Sequence, residues 1–195
     1  NKKRYDKLKK EYQDFIQELI AEISKFDADF ANLNAKDCLF RINRDVRFSN
    51  DKSPYKTNFG ASICKRGKKD SGPLFYVHLE PNSSFIAAGV YMPDAEFLKK
   101  IRQEIDYNLD EFRSIINHST FQKYFKGLDQ ESALKSSPKG YEKDQDGIEF
   151  LRLRSFTVTK RLSDKDLVSK DLIKELKSGV EAAKALNDFL DKARD

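Results

Sequence analysis

Between Phe40 and Met92 the chain passes through four short extended patterns, each ended by residues that favour turning. Phe40 to Ser49 alternates, and Phe59 to Cys64 forms a second run in which Gly60 permits close backbone approach. Leu74 to Glu80 sets Phe75, Val77 and Leu79 on one face and Tyr76, His78 and Glu80 on the other. Phe85 to Met92 completes the set. The breaks are SNDKSP, KRGKKDSGP and PNSS, all with turn composition. Connections this short imply an antiparallel meander. A further β-branched run, SFTVTKRL at 155–162, predicts another strand, for about five in the sheet.

Helical periodicity brackets these strands. Tyr5, Leu8, Tyr12, Phe15, Leu19, Ile23 and Phe26 fall at steps of three and four, which predicts a long N-terminal amphipathic helix. Leu172, Leu176, Val180, Ala183, Leu186 and Leu190 predict its C-terminal counterpart, opened by a cap at Ser163. Between them, Asp94 is expected to cap a helix carrying Phe97, Leu98, Ile101 and Ile105. Asp110 is expected to cap a second, and Ser119 or Thr120 to open a third turn with Phe121, Tyr124 and Phe125. Ile148 to Leu153 fits a short helix or a strand entry. The order gives an α+β fold, an antiparallel sheet packed against helices. Its 195 residues suit a single domain: N-terminal helix 1–26, meander 40–92, helices 94–126, then loop, strand and helix to 195.

Composition narrows the function classes. Charged residues are 35% and apolar ones 38%, and no apolar stretch is long enough to span a bilayer. No basic-then-apolar leader opens the chain, so a cytoplasmic location is expected. The one Met is Met92, so residue 1 is not an initiator and an N-terminal piece is expected ahead of it. Cys38 and Cys64 fit no zinc spacing, and with two His there are too few ligands for a structural metal site. They read as buried thiols in a reducing compartment, and neither metal nor cofactor is expected. A net charge of +5 arises from 37 basic and 32 acidic residues, a mixed surface. It leaves nucleic acid open as a partner without favouring it over a small anion.

Recognised catalytic motifs are absent: no phosphate loop, dinucleotide fingerprint, nucleophile elbow or His-Glu-x-x-His. His78 and His118 lack a supporting nucleophile motif, and His118 is expected to stabilise a helix C-terminus. FRINRDVRFSNDKSPYK, residues 40–56, offers more. As a strand it sets Arg44 among Phe40, Ile42, Val46 and Phe48, where a buried guanidinium requires a carboxylate such as Glu80, or a pocket. Arg41 and Arg47 share the opposite face about 20 Å apart, with Asp45 between them, too far apart to clamp one small anion. The following turn carries Lys52, Tyr55 and Lys56 and is stiffened by Pro54. Guanidinium forks and ammonium groups on a stiff loop suit phosphate or carboxylate oxygens. PKGYEKD, residues 138–144, repeats this vocabulary through Lys139 and Tyr141.

RINRDVRFSNDKSPYKTNFGA at 41–61 resembles the family catalogued as domain of unknown function 2461. So do NKKRY at the start, GVYMPD at 89–94, PKGYEKD at 138–144 and LRLRSFTVTKRL at 151–162, in the family's order. An aromatic-rich opening usual ahead of the NKKRY position is missing. Family members carry Asp-His-Pro after the PKGY loop where this chain has Asp144-Gln145-Asp146, so a role resting on that His does not transfer. The resemblance implies an α+β fold and a cytoplasmic, bacterial-type protein. It brings no activity with it.

Three functions follow as expectations. The first is a binding module for an anionic small molecule, phosphate- or carboxylate-bearing, using Arg44, Arg47, Lys52, Tyr55, Lys56, Glu80, Lys139 and Tyr141. The second is an enzyme on a phosphorylated or nucleotide substrate, with Asp45 or Glu80 as general base and Tyr55 as proton donor. The third is a nucleic-acid partner using KRGKK at 65–69 and the Lys-rich first helix.

Overall fold

The computed structural model describes residues 2–45, 47, 50 and 52–194. Its helices are α1 (Lys2–Ser24), α2 (Ala35–Cys38), α3 (Ala95–Tyr107), α4 (Leu109–Ile116), α5 (Ser119–Phe125), α6 (Ile148–Leu151), α7 (Asp164–Leu167) and α8 (Leu172–Lys192). A 3-10 turn covers Ala28–Phe30. The strands are β1 (Phe59–Ile63), β2 (Leu74–Leu79), β3 (Phe85–Val90) and β4 (Phe156–Arg161), in one antiparallel sheet of order β1-β2-β3-β4. The fold is α+β, with β1 to β4 and both long terminal helices where periodicity put them and four strands in place of about five. None of the helices is long and apolar enough to cross a membrane.

The strand expected at Phe40 to Ser49 does not form among the described residues. Only isolated bridges occur there, Leu39 to Ala61 and Asn43 to Tyr55. Arg44 interrupts the otherwise apolar face of the segment, and its described backbone pairs instead with the turn that follows, Arg44 with Pro54 and Ile42 with Lys56. Val46, Phe48 and Ser49 of the expected strand, and Asp51 of the turn, lie outside the described residues.

The chain divides into two compact units, residues 1–69, 75–86 and 161–177, and residues 70–74, 87–160 and 178–195. In the first, α1 buries Tyr12, Ile16, Leu19, Ile20 and Ile23. Leu8 stays exposed, so the buried stripe runs through Ile16 and Ile20. Opposite lie Ala61 and Ile63 of β1 and Phe75 and Val77 of β2, the inward set of each alternation. Tyr12 pins the layers by donating its hydroxyl to the Val77 carbonyl at 3.0 Å, and its ring meets Phe59 at 5.3 Å. Ser163 forms a complete capping box with Asp166, but it opens the four-residue α7 and not the long C-terminal helix, which starts separately at Leu172.

KRGKK, which has turn composition, is partly committed within this unit. Lys65 pairs with Asp27 at 3.2 Å and Asp29 at 3.0 Å, and Lys68 donates to the Leu39 carbonyl at 2.8 Å. Two acids on the 3-10 turn and an open carbonyl supply what the loop composition alone does not show.

The second unit is built on phenylalanine. Phe112 of α4 packs against Phe150 and Phe189, both with ring centres 5.2 Å away. Arg102 of α3 donates to the Leu151 and Leu153 carbonyls, satisfying the end of α6. Asp94 caps α3 by accepting from the Phe97 amide at 2.8 Å, as expected. Asp110 does not cap α4: the helix starts at Leu109, and the flanking Asn108 turns its amide back to Glu104. His118 caps α5 at its N-terminus, Nδ1 accepting from the Thr120 amide, rather than supporting a C-terminus. That ring nitrogen does the work of a capping hydroxyl. Gly89 has φ +109°, and a Cβ on it would fall 2.0 Å from the Phe156 carbonyl oxygen. Here β3 and β4 approach as only glycine allows.

Candidate functional site

The ribbon at 42–56 is set by two backbone hydrogen bonds in the first unit. The Arg44 amide donates to the Pro54 carbonyl at 3.0 Å, and the Lys56 amide to the Ile42 carbonyl at 2.8 Å. They flank Asn43 and Tyr55, the non-hydrogen-bonded pair of an antiparallel bridge. Side chains alternate across such a bridge, so Arg44 and Lys56 share one face and Tyr55 takes the other with Asn43. Tyr55 is 58% exposed, and Lys52 is exposed in the turn. Arg47 is engaged locally: its Nε donates to Asp45 Oδ1 at 2.9 Å and its Nη2 to Oδ2 at 2.6 Å. That bond, with a smaller contribution from Arg41, holds the Asp45 carboxyl below its ordinary range. Asp45 is thus drawn to Arg47 within a local Asx-type turn.

Lys56 is half-buried, its ammonium 5.8 Å from the centre of the Phe40 ring. Phe40 in turn meets the Tyr76 ring edge-on at 6.0 Å. The ribbon thereby borders the outer face of the sheet, where Gly60, Tyr76 and His78 lie. Gly60 pairs with His78 and Ser62 with Tyr76 in the β1–β2 register.

Five polar side chains meet on that face. His78 Nε2 lies 3.2 Å from Glu80 Oε2, and Thr57 donates its hydroxyl to Glu80 Oε1. At the other ring nitrogen, His78 Nδ1 is 3.3 Å from both Asn58 Nδ2 and the Tyr76 hydroxyl. The Thr57 bond first, then His78, lowers the Glu80 pKa, so Glu80 is an ionised acceptor. Its neighbour Nε2 therefore carries the proton, and in the neutral ring Nδ1 accepts from Asn58 and Tyr76. The imidazole is stacked on Phe85 at 4.6 Å and 13°, which fixes its plane. Burial holds the Tyr76 phenol above its ordinary pKa, so it stays a donor. Local turn chemistry supports Glu80: its amide donates to Ser84 Oγ at 2.9 Å, and Ser84 Oγ donates back to the Glu80 carbonyl at 2.8 Å.

Glu80, expected as a counter-charge for Arg44, is held by Thr57 and His78 instead. Reasoning from sequence finds Glu80 and passes over its companions Asn58, Tyr76 and His78. The alternation of β2 already puts Tyr76, His78 and Glu80 on one face, and that was the available signal. Lys139 and Tyr141 belong to the second unit. Lys139 is exposed, and Tyr141 is half-buried on the turn closed by its amide to the Pro138 carbonyl at 3.2 Å. Burial, then Asp106, raises the Tyr141 phenol pKa, with Arg102 opposing. Gln145 donates to Asp106, and Asp146 forms a bidentate pair with Arg113. Among the described residues no group of three or more His, Cys, Asp or Glu side chains is arranged to hold a metal ion.

No curated protein and no solved structure matches the sequence. The family model described as "Conserved hypothetical protein (DUF2461)" matches residues 1–189, nearly the whole chain and both halves of this ribbon and sheet face, and the protein belongs to that family.

Proposed function

We propose that the protein is a binding module for a small phosphate- or carboxylate-bearing ligand, received at the ribbon by Lys56 and Arg44. The observation that carries this reading is Lys56. Among the described residues its half-buried ammonium faces an aromatic ring and meets no carboxylate. Arg44 shares its face of the ribbon, so two cations border one aromatic, hydrogen-bonding sheet face. Lys52 and Tyr55 lie at the rim, and Arg47 is the weaker candidate because Asp45 already holds its fork. Lys139 and Tyr141 form a separate candidate loop. The internal commitments of Lys65 and Lys68 favour a small ligand over a nucleic acid. Two buried cysteines suit a reducing compartment, and we read the protein as cytoplasmic.

Thermal unfolding in the presence of ethyl phosphate, phosphoserine and citrate tests the reading. A ligand at a hundred times its Kd stabilises by about 2.7 kcal/mol. Lys56→Met and Arg44→Gln are expected to fold with near-native Tm and to lose that stabilisation. Loss of the fold in both variants, or full retention of the ligand response, overturns the reading.

A further inference from the structure

The Glu80–His78–Tyr76 chain has features that binding an anion does not require. A sheet face needs no second-strand histidine to be stable, and this one is aligned at both nitrogens. Glu80 fixes the proton on Nε2, Phe85 fixes the ring plane, and the Nδ1 lone pair is turned to a phenol. The phenol's position is itself provided for. A Cβ at residue 60 would lie 2.6 Å from the Tyr76 oxygen, so glycine leaves the space in which that oxygen sits. Asn58 supplies a second donor at the same nitrogen, also at 3.3 Å. Both contacts to Nδ1 are longer than the usual hydrogen-bond optimum, so either donor can turn to another acceptor at small cost.

We propose that Tyr76, His78 and Glu80 form an acid–base site acting on a hydroxyl group of the bound anion, a small hydroxylated phosphate or carboxylate. This rests on the anion-binding reading and names the substrate class it serves. The hydroxyl takes its place against Tyr76 on the ribbon side, where Phe40 and Lys56 stand. In the proton transfer the ligand O–H bond breaks and its proton passes to the Tyr76 oxygen. The proton already on Tyr76 passes to His78 Nδ1. The ligand oxygen becomes anionic and the imidazole cationic, so net charge is conserved. Glu80 faces the new imidazolium through Nε2–H and offsets its charge, the role a carboxylate plays behind a histidine base. Lys56, which lies over the Phe40 ring that Tyr76 contacts, offsets the ligand's oxyanion. Tyr76 touches the ligand; His78 and Glu80 act through it.

Two measurements on the full chain test this. The chain has two histidines, so long-range ¹H–¹⁵N correlation resolves His78 with His118 as an internal control. The neutral His78 ring is expected as the Nε2–H tautomer, with its Nδ1 shift moved by Tyr76→Phe while that of His118 stays. An Nδ1–H tautomer overturns the relay. The second measurement compares glycerol 3-phosphate with ethyl phosphate, which lacks the hydroxyls. The wild-type protein is expected to prefer glycerol 3-phosphate by roughly threefold to tenfold, the value of one added hydrogen bond. Tyr76→Phe is expected to bring the two within about twofold while ethyl phosphate still binds as before. His78→Gln, which keeps a hydrogen-bonding amide, is expected to reduce the preference and serves as the second variant if the first unfolds. Equal binding of the two probes by the wild type, or a preference that survives both variants, overturns this inference and leaves the anion reading standing. Failure of both probes to bind overturns the anion reading and this inference with it.

Discussion

The Tyr76 hydroxyl occupies the place that a side chain on Gly60 would need, 2.6 Å from where its Cβ would be. Gly60 pairs directly with His78 across the β1–β2 ladder, so one missing methyl group lets a phenol lean over the strand to reach the imidazole. Gly60→Ala therefore tests position more than stability. The tyrosine is expected to swing away, since only the tip of a side chain must move. The cost in stability is about 1 kcal/mol. A stable Gly60→Ala protein should show the Tyr76→Phe histidine spectrum.

Glu80 links this face to pH. Its folded-state pKa lies below the ordinary carboxyl value because Thr57 and His78 bond the ionised form. A depressed carboxyl contributes stability that is present above its unfolded pKa, about 4.3, and is lost as pH falls through the folded value. Glu80→Gln has no such titration. Wild type is expected to exceed Glu80→Gln in Tm near neutral pH, with the gap closing by about pH 3. A gap of constant size across that range would show that ionisation of Glu80 does not matter.

In the second unit, Arg194 closes a two-pronged pair with Asp70, with Nη2 2.6 Å from Oδ1 and side chains only 22% and 14% exposed. Lys100 also donates to the Arg194 carbonyl at 2.9 Å, tying down the end of the chain. Arg194→Ala removes the two-pronged guanidinium partner of a largely buried carboxylate and is expected to cost about 3 kcal/mol in urea unfolding. Replacing Asp70 and Arg194 together with Asn and Leu should cost less than Arg194→Ala alone, because no carboxylate is then left without its guanidinium.

Cys38 is fully buried at the end of α2, and burial, aided by Asp37, pushes its thiol up to about 11. Thiolate is the reactive form, so alkylation of the native protein near neutral pH should be slow and should accelerate on unfolding. A raised pKa contributes stability below the unfolded value that is lost as pH rises through the folded one. Cys38→Ala should therefore soften the alkaline limb of the stability profile between about pH 8.5 and 11. Rapid labelling of Cys38 in the folded protein would contradict its burial.

Local pattern and tertiary pairing each decided part of this protein. Periodicity alone located α1 and α8, because an apolar stripe at three- and four-residue spacing can be buried in only one secondary structure. Period two and turn chemistry likewise located β1 to β4, and short side-chain caps marked the starts of α3 and α7 at Asp94 and Ser163. Where a cap depended on what a neighbouring turn did, as at Asn108 and His118, local pattern misled. The same limit governed the site. Alternation put Tyr76, His78 and Glu80 on one face, but it could not bring Asn58 and Thr57 to them, since that depends on the register of β1 against β2.

The FRINRDVRFSNDKSPYK stretch shows the division most clearly. Its residues determined that cations would gather there and that the turn would be stiff. Only the tertiary structure decided that, among the described residues, the segment pairs with its own turn at Asn43 and Tyr55. That pairing gives Arg47 to Asp45, turns Tyr55 to the other face and leaves Lys56 over Phe40. The physical reason is that residue type sets what a side chain can bind, whereas hydrogen-bond register, a long-range property, sets what it meets.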